Sequence, residues 1–328
     1  MMLFSIIGSG ILSPSVSHSV GILLHENLVD PVTARPAAMA GAVSASVGDI
    51  DAVMYCPATL GFAADIHVYT GYYWRSLWES WDWHCFQAGI MYPVGDESSF
   101  GASFLYFIDD EWTAMDPHGT PLGTVRPYTV LTTLSYGRKF TSHISAGATA
   151  RFIFDSVPAL EPFRLSAASG TALDVSLLAR LPIPTLSTAV SLTNLGPELK
   201  YPVEYYSSGM LPTTFRVGLG AAPEVNEDCD GYFGLDFSKV FTDEAETSVH
   251  SGGELLLFEM FAFRAGYVWD MRDYVGGLTY GAGLVITGLG SVNFASVSNT
   301  YTSSRLTKNH VSLDIQLPLA LNAAPPED

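Results

Sequence analysis

The strongest constraint on this chain is that it is apolar without being apolar in runs. Apolar residues make up 48% of its 328 residues. Mean hydropathy is positive, at +0.24. Yet nowhere do the roughly 18 consecutive apolar residues of a transmembrane helix occur. The nearest stretch, Met1 to Leu12, is broken by Ser5, Gly8, Ser9 and Gly10. The apolar residues fall instead on alternate positions. Val311, Leu313, Ile315, Leu317 and Leu319 alternate with Ser312, Asp314, Gln316 and Pro318. Leu173, Val175, Leu177 and Ala179 alternate with Asp174, Ser176 and Arg180. Phe100, Ala102, Phe104, Tyr106 and Ile108 do the same, although Leu105 and Phe107 blur that pattern. Alternation gives a strand one apolar and one polar face. A helical membrane protein and a disordered chain are both excluded as main readings.

From Ala64 onward the pattern predicts about fourteen strands of about 9–13 residues, the length a tilted membrane strand requires. They are expected to begin near 64, 82, 99, 127, 142, 169, 186, 211, 230, 247, 261, 277, 291 and 309. Connections after odd strands read as long and those after even strands as short, the outside-long, periplasm-short habit of outer-membrane barrels. Asp109 to Arg126 and Gly196 to Met210 are long ones. Tyr72, Tyr73, Trp74, Trp78, Trp81 and Trp83 crowd the first hairpin tip, and Tyr205, Tyr206, Tyr232, Tyr267, Trp269 and Tyr274 lie at others. Such rings, apolar with a polar edge, suit membrane interfaces.

Before residue 64 the reading changes. Pro36 to about Leu60 carries the helical signal, with Pro36 in a first turn, Gly48 as a break, and Asp49 or Asp51 capping a second short helix before Pro57. Residues 1–19 are read as a possible signal peptide, 20–63 as an N-terminal hatch or plug, 64–320 as the barrel and 321–328 as a short tail. The fold class expected is therefore all-β, a roughly fourteen-stranded antiparallel transmembrane barrel with a short N-terminal helical plug.

Charge is scarce and one-sided. Charged residues are 15% of the chain, against roughly 25% in ordinary soluble proteins. Lys plus Arg number 15 and Asp plus Glu 33. An acidic balance disfavours nucleic acid, whose phosphates demand positive patches. Cys56, Cys85 and Cys229 show no metal or disulfide spacing and read as unpaired. No HExxH, GxSxG or P-loop occurs, and the histidines lack metal-ligand spacing, so neither enzyme, metal nor cofactor is expected. The informative charges fall opposite the apolar stripes: Arg151, Asp174, Arg180, Arg216, Asp236, Glu254, Arg264 and Asp314. In a closed sheet they project inward, where they either steer solute and anchor a plug or simply pair and meet water. On the lipid face an arginine would cost roughly 2–4 kcal/mol at the midplane.

A family resemblance rests on several blocks. Ala34-Arg35-Pro36-Ala37-Ala38-Met39-Ala40-Gly41-Ala42, then Asp49-Ile50-Asp51-Ala52, then Pro57-Ala58 before Leu60, resemble the N-terminal motif of PorV-like and FadL-like outer-membrane proteins, including an uncharacterised spirochaetal group. Gly253-Glu254, Phe263-Arg264-Ala265-Gly266-Tyr267, Gly276-Gly277-Leu278-Thr279-Tyr280-Gly281 and Lys308-Asn309-His310-Val311-Ser312-Leu313 are similar to the family's late strands. Cys56 stands where the family usually has Asn, and Thr59 where Gly is common.

The resemblance implies a barrel with its N-terminal segment in the lumen as a hatch. It implies location in the outer membrane of a diderm bacterium after export through the periplasm. For FadL-like members it implies uptake of long-chain fatty acids or other hydrophobic molecules. The alternative is a PorV-like role in secretion or surface attachment, or a surface antigen, with protein partners met through the long outer loops. Arg35, Met39, Gly41, Asp49, Asp51 and Tyr55 are the candidate ligand-binding or plug residues. Arg35 is a candidate for a carboxylate contact or for plug anchoring.

Overall fold

The computed structural model describes residues 28–29, 31–77, 81–115, 120–158, 165–183, 185–202, 209–241, 246–270, 276–301 and 304–318. The signal-peptide and tail readings lie outside these residues, as do Leu319, Trp78, Tyr205, Tyr206 and Tyr274.

Fourteen long strands form the wall: β1 (Ile66–Leu77), β2 (Trp81–Val94), β3 (Ser98–Ile108), β6 (Tyr128–Lys139), β7 (Ile144–Pro158), β8 (Leu165–Arg180), β9 (Leu186–Leu195), β10 (Thr213–Ala221), β12 (Cys229–Phe241), β13 (Glu246–Leu257), β14 (Phe261–Asp270), β15 (Gly276–Ile286), β16 (Gly290–Tyr301) and β17 (Ser304–Leu317). Two short strands, β4 (Trp112–Met115) and β5 (Pro121–Val125), pair only with each other, and β11 (Glu224–Asn226) extends a turn on β12. Each wall strand is antiparallel to its sequence neighbour in the ring. β10 pairs with β12, and the ring closes where β1 pairs with β17, from Ile66 opposite Leu317 to Ser76 opposite Thr307. Closure leaves no unpaired edge, the condition for a sheet to span lipid.

Faces follow the period of two. Along β17 Val311, Leu313, Ile315 and Leu317 are exposed on the outside, while Lys308, His310 and Ser312 are buried inside. Along β14 Phe261, Phe263, Tyr267 and Trp269 face out and Arg264 faces in. The outer surface is thus an apolar band that requires lipid.

The strands start close to the predicted positions. The largest departures are β8, at 165 rather than 169, and β17, at 304 rather than 309. Both begin earlier because the sheet continues past the length a bilayer needs. For the same reason several connections expected to be long are short: β13 opens at 246 after β12, the ninth wall strand, ends at 241, and β17 opens at 304 after β16, the thirteenth, ends at 301. The two long connections, 109–127 and 196–212, do fall at one end and the tight turns at the other. Two expected interface aromatics point the other way: Tyr73 and Trp83 are buried in the lumen, at 2% and 9% exposure. Tyr232 also faces inward, under Arg35.

Candidate functional site

Residues 31–63 lie inside the barrel. Their regular structure is one short helix, Ala34–Ala38, and two 3₁₀ turns, Ile50–Ala52 and Pro57–Phe62. Asp49 caps the first 3₁₀ turn, accepting from the Asp51 N–H at 2.9 Å. Gly41 and Gly48 take positive φ, +77° and +67°, which glycine adopts without strain.

So irregular a backbone satisfies only part of its own polar groups, and the other buried ones need partners. The wall supplies them, from β17 at Val32 to β7 and β8 at Ala58, with only β10 and β12 out of turn. His310 of β17 donates to the Val32 carbonyl at 3.2 Å, and Ser312 accepts from the Ala34 N–H at 3.1 Å. Thr279 of β15 donates to the Ala38 carbonyl at 2.7 Å, and His250 of β13 to that of Ala40 at 2.7 Å. Arg216 of β10 donates to the Gly41 carbonyl at 3.1 Å, and Asp236 of β12 accepts from the Ser44 N–H at 3.2 Å. Ser187 of β9, Ser176 of β8 and Ser145 of β7 bond the backbone of Ala45 and Ala58 at 2.6 to 2.8 Å. The segment therefore winds round the inner wall against the order of the strands. The polar inward face is a set of partners for this inner ring.

Close approach sets a second requirement. A Cβ at Gly137, Gly147, Gly234, Gly252, Gly266 or Gly281 would overlap atoms of residues 38–61. Gly281, which opens a GxG in β15, is thus a seat for Ala38.

The inward charges come together largely as pairs. Arg151 and Asp174 meet at 2.7 Å, with side chains 2% and 0% exposed, and Arg151 also donates to the Met54 carbonyl at 3.1 Å. Arg216 meets Asp236 at 3.3 Å. Arg35 grips Glu254 through two bonds of 3.0 Å and also bonds Asp49. Arg264 bonds the same Glu254 carboxylate, and Asn293 at 2.8 Å. Burial opposes the Arg35 charge, but the Asp49 and Glu254 carboxylates outweigh it and hold the guanidinium well above its ordinary value. Asp314 pairs with His67 at 3.0 Å. Arg180 makes no ion pair among the described residues and lies 4.2 Å from the ring centre of Phe62.

The remaining candidates divide. Met39 is fully buried against Gly252 and Gly266. The ring of Tyr55 lies 4.6 Å beneath the Arg216 guanidinium. Asp51 and Tyr55 border a narrow cleft of about 30 Å³ between the segment and the wall, with Tyr69, Gln87, Ser103 and Arg151. None of Cys56, Cys85 and Cys229 is disulfide-bonded. Thr59 donates to the Ser46 carbonyl at 2.8 Å and accepts from the Asp49 N–H at 3.0 Å, so the residue that departs from the family ties two turns of the segment.

One group of residues was not anticipated. At the end bearing the long connections, Tyr73, Trp83, Leu105, Phe107, Leu131 and Ile153 form an apolar cluster inside the barrel. Trp83 and Phe107 meet edge to face with ring centres 6.0 Å apart. Leu199, Tyr201 and Leu211, from the connection after β9, fold down onto it. Tyr201 donates its hydroxyl to Asp155, which also accepts from Thr129 at 2.6 Å. The signal was present in the sequence: Leu105 and Phe107 break the alternation of β3 because they are apolar on an inward face.

Several solved structures share this architecture. The toluene transporter TbuX of Ralstonia pickettii superposes with a TM-score of 0.65 at 15% identity, covering 88% of this chain and 99% of that one. The monoaromatic hydrocarbon channel CymD gives 0.59 at 12% identity, covering 88% and 98%. A FadL homologue of Pseudomonas aeruginosa gives 0.55 at 12% identity, covering 88% and 99%. No protein-family model and no curated relative matches the sequence. At these identities the likeness is one of architecture: the chain has the barrel fold of these hydrocarbon transporters and of the FadL homologue.

Proposed function

We propose that this protein is an outer-membrane channel for the uptake of hydrophobic small molecules, fatty acids or monoaromatic hydrocarbons among them. The carrying observation is the apolar cluster around Trp83, Leu105 and Phe107, which lines the long-connection end of the lumen with hydrocarbon and aromatic side chains. Barrels of this kind turn their long connections outward, so that end faces the outside and the tight turns face the periplasm. An apolar solute leaving water gains about 25 cal/mol per Å² of buried surface there. The inner ring, held by Arg35, Asp49 and Glu254, acts as the hatch below it. The fold shared with TbuX, CymD and the FadL homologue supports this reading. The alternative, partner capture through the long outer connections, is less favoured because Leu199, Tyr201 and Leu211 are committed inward.

The test is saturable binding of toluene and of oleate by purified protein, wild type against Phe107→Asp. A charge in the cluster should weaken binding by about tenfold or more. Absence of saturable binding of both solutes by the wild type sinks the proposal.

A further inference from the structure

The apolar outer band does not stop where the strands stop. Each of the six tight connections carries an exposed apolar side chain: Val94 at the end of β2, Phe140 after β6, Ile183 after β8, Val225 after β10, Phe258 after β13 and Leu289 before β16. Phe140 and Phe258 are each 64% exposed, more than Leu134 and Val292 on the outer wall, at 55% and 49%. Turns that end in water are ordinarily built from Gly, Asn, Asp, Ser and Pro. Phe258 departs furthest from that habit. It and Glu259 sit at φ +55° and +53°, positions that glycine, asparagine or aspartate ordinarily fill. A bulky ring held there at a conformational cost points to a use for the ring.

Where the band lies along the strands says what covers these tips. On several outward rows the polar residues gather at the opposite end. On β8 Ser169 and Thr171 precede Leu173, Val175 and Leu177. On β16 Ser298 follows Val292 and Phe294, and on β17 Thr307 and Asn309 precede Val311, Leu313 and Ile315. At about 3.3 Å per residue and a tilt of about 40°, an apolar band about 25 Å tall covers about ten residues, so one that begins at Leu173 ends at the turn tip, Ile183. The tips are therefore continuous with the lipid-facing wall. They also ring the whole rim, which suits lipid, present on every side of a barrel, better than a protein partner approaching from one side. Arg138 is the charged residue on the outward row of β6, between Tyr136 and Phe140. Glu97 pairs with it at 3.3 Å, and its long stem lets the head snorkel to the headgroups.

We infer that the tight-turn rim is a lipid-binding surface: Phe140, Ile183, Phe258 and Leu289 insert into the phospholipid leaflet on that side and set how deep the barrel stands in the membrane. This placement depends on the membrane-spanning fold and not on which solute the barrel carries.

The test folds the full chain into dioleoylphosphatidylcholine vesicles with a nitroxide on one introduced cysteine at a time, at Phe140→Cys, Ile183→Cys, Phe258→Cys or Leu289→Cys. Cys229→Ser removes the partly exposed native cysteine, since Cys56 and Cys85 are buried. Leu134→Cys is the reference for lipid, and Glu111→Cys, on an exposed outer connection, is the reference for water. At the four tips collisions with oxygen should exceed those with a water-soluble nickel chelate, as at Leu134→Cys. Nickel collisions at the level of Glu111→Cys overturn the inference and leave the rim open to a protein partner. A second measurement needs no label. Wild type and the combined variant Phe140→Ser, Ile183→Ser, Phe258→Ser and Leu289→Ser are refolded into phosphatidylcholine vesicles of increasing chain length. Heat-modifiable mobility reads the yield, and refolding in detergent is the control. The wild-type yield should peak at a chain length about two carbons or more above the variant's, because the tips add to its apolar height. Coincident peaks overturn the inference. If the variant does not fold in detergent, the nitroxide readings decide.

Discussion

Asp174 shows how much one side chain can carry. One carboxylate oxygen takes Arg151, and the other accepts the Asn194 N–H at 2.7 Å. Asn194 sits at φ +58°, where the pairing of β8 and β9 slips between Leu173 and Val175. Asp174 therefore neutralises a buried arginine and also pins the irregular end of β9, from which the connection 196–212 departs. Removing it leaves Arg151 buried without a counter-charge. Asp174→Ala should cost roughly 3–5 kcal/mol, and Asp174→Asn, whose single amide oxygen can serve only one of the two donors, should recover only part of that cost. Urea titration of the folded, heat-modifiable form measures both; equal stability of Asp174→Ala and wild type refutes the account. The inward position of Asp174 was legible from alternation alone. Its partner was not, because pairing Arg151 with Asp174 depends on the register of β7 against β8, which a period of two leaves open.

Among the elements, the inner ring is the one whose reading was thinnest. The helical signal and the breaks were visible: Pro36 in the helix, Gly48 at a turn, Asp49 as a cap. The path round the wall was not, because an irregular segment has no period to read. Its hydrogen-bond partners, such as His250, His310 and Thr279, are scattered over three strands, and a period of two assigns them no partner. The ring also carries a pH dependence. Burial, and then the neighbouring Asp49 carboxylate, push the Asp51 carboxyl up from 3.8 to about 7. Between those values the seated segment holds a proton that a free chain has released. The stabilisation from this group is complete below about pH 4 and is lost as pH rises toward about 7. Limited proteolysis within residues 31–63 should therefore increase from pH 4 to pH 7 in the wild type and stay flatter in Asp51→Asn. Identical pH profiles for the two would remove Asp51 from the explanation.

At the scale of the whole molecule, strand number and strand starts were readable because lipid imposes a period and a minimum length on every segment of the wall. Loop lengths were less readable, since nothing limits how far a strand continues into water. A segment inside the barrel was expected from the resemblance; what the sequence hid was how it is held, a ring of irregular chain locked to the hoop of strands by hydrogen bonds, ion pairs and glycine seats. Order of assembly follows from this. The seam between β1 and β17 is spanned from inside by residues 32–34: Val32 and Thr33 lie against Gly71 of β1, and Val32 and Ala34 bond His310 and Ser312 of β17. A hoop fitted this closely cannot be loaded once shut, so the inner ring serves as the mandrel on which the staves are drawn together. A chain lacking residues 31–63 should then fail to reach the heat-modifiable form. A peptide of those residues should rescue it when present during refolding and not when added afterwards. Biogenesis, on this view, begins at the centre of the barrel and finishes at its seam.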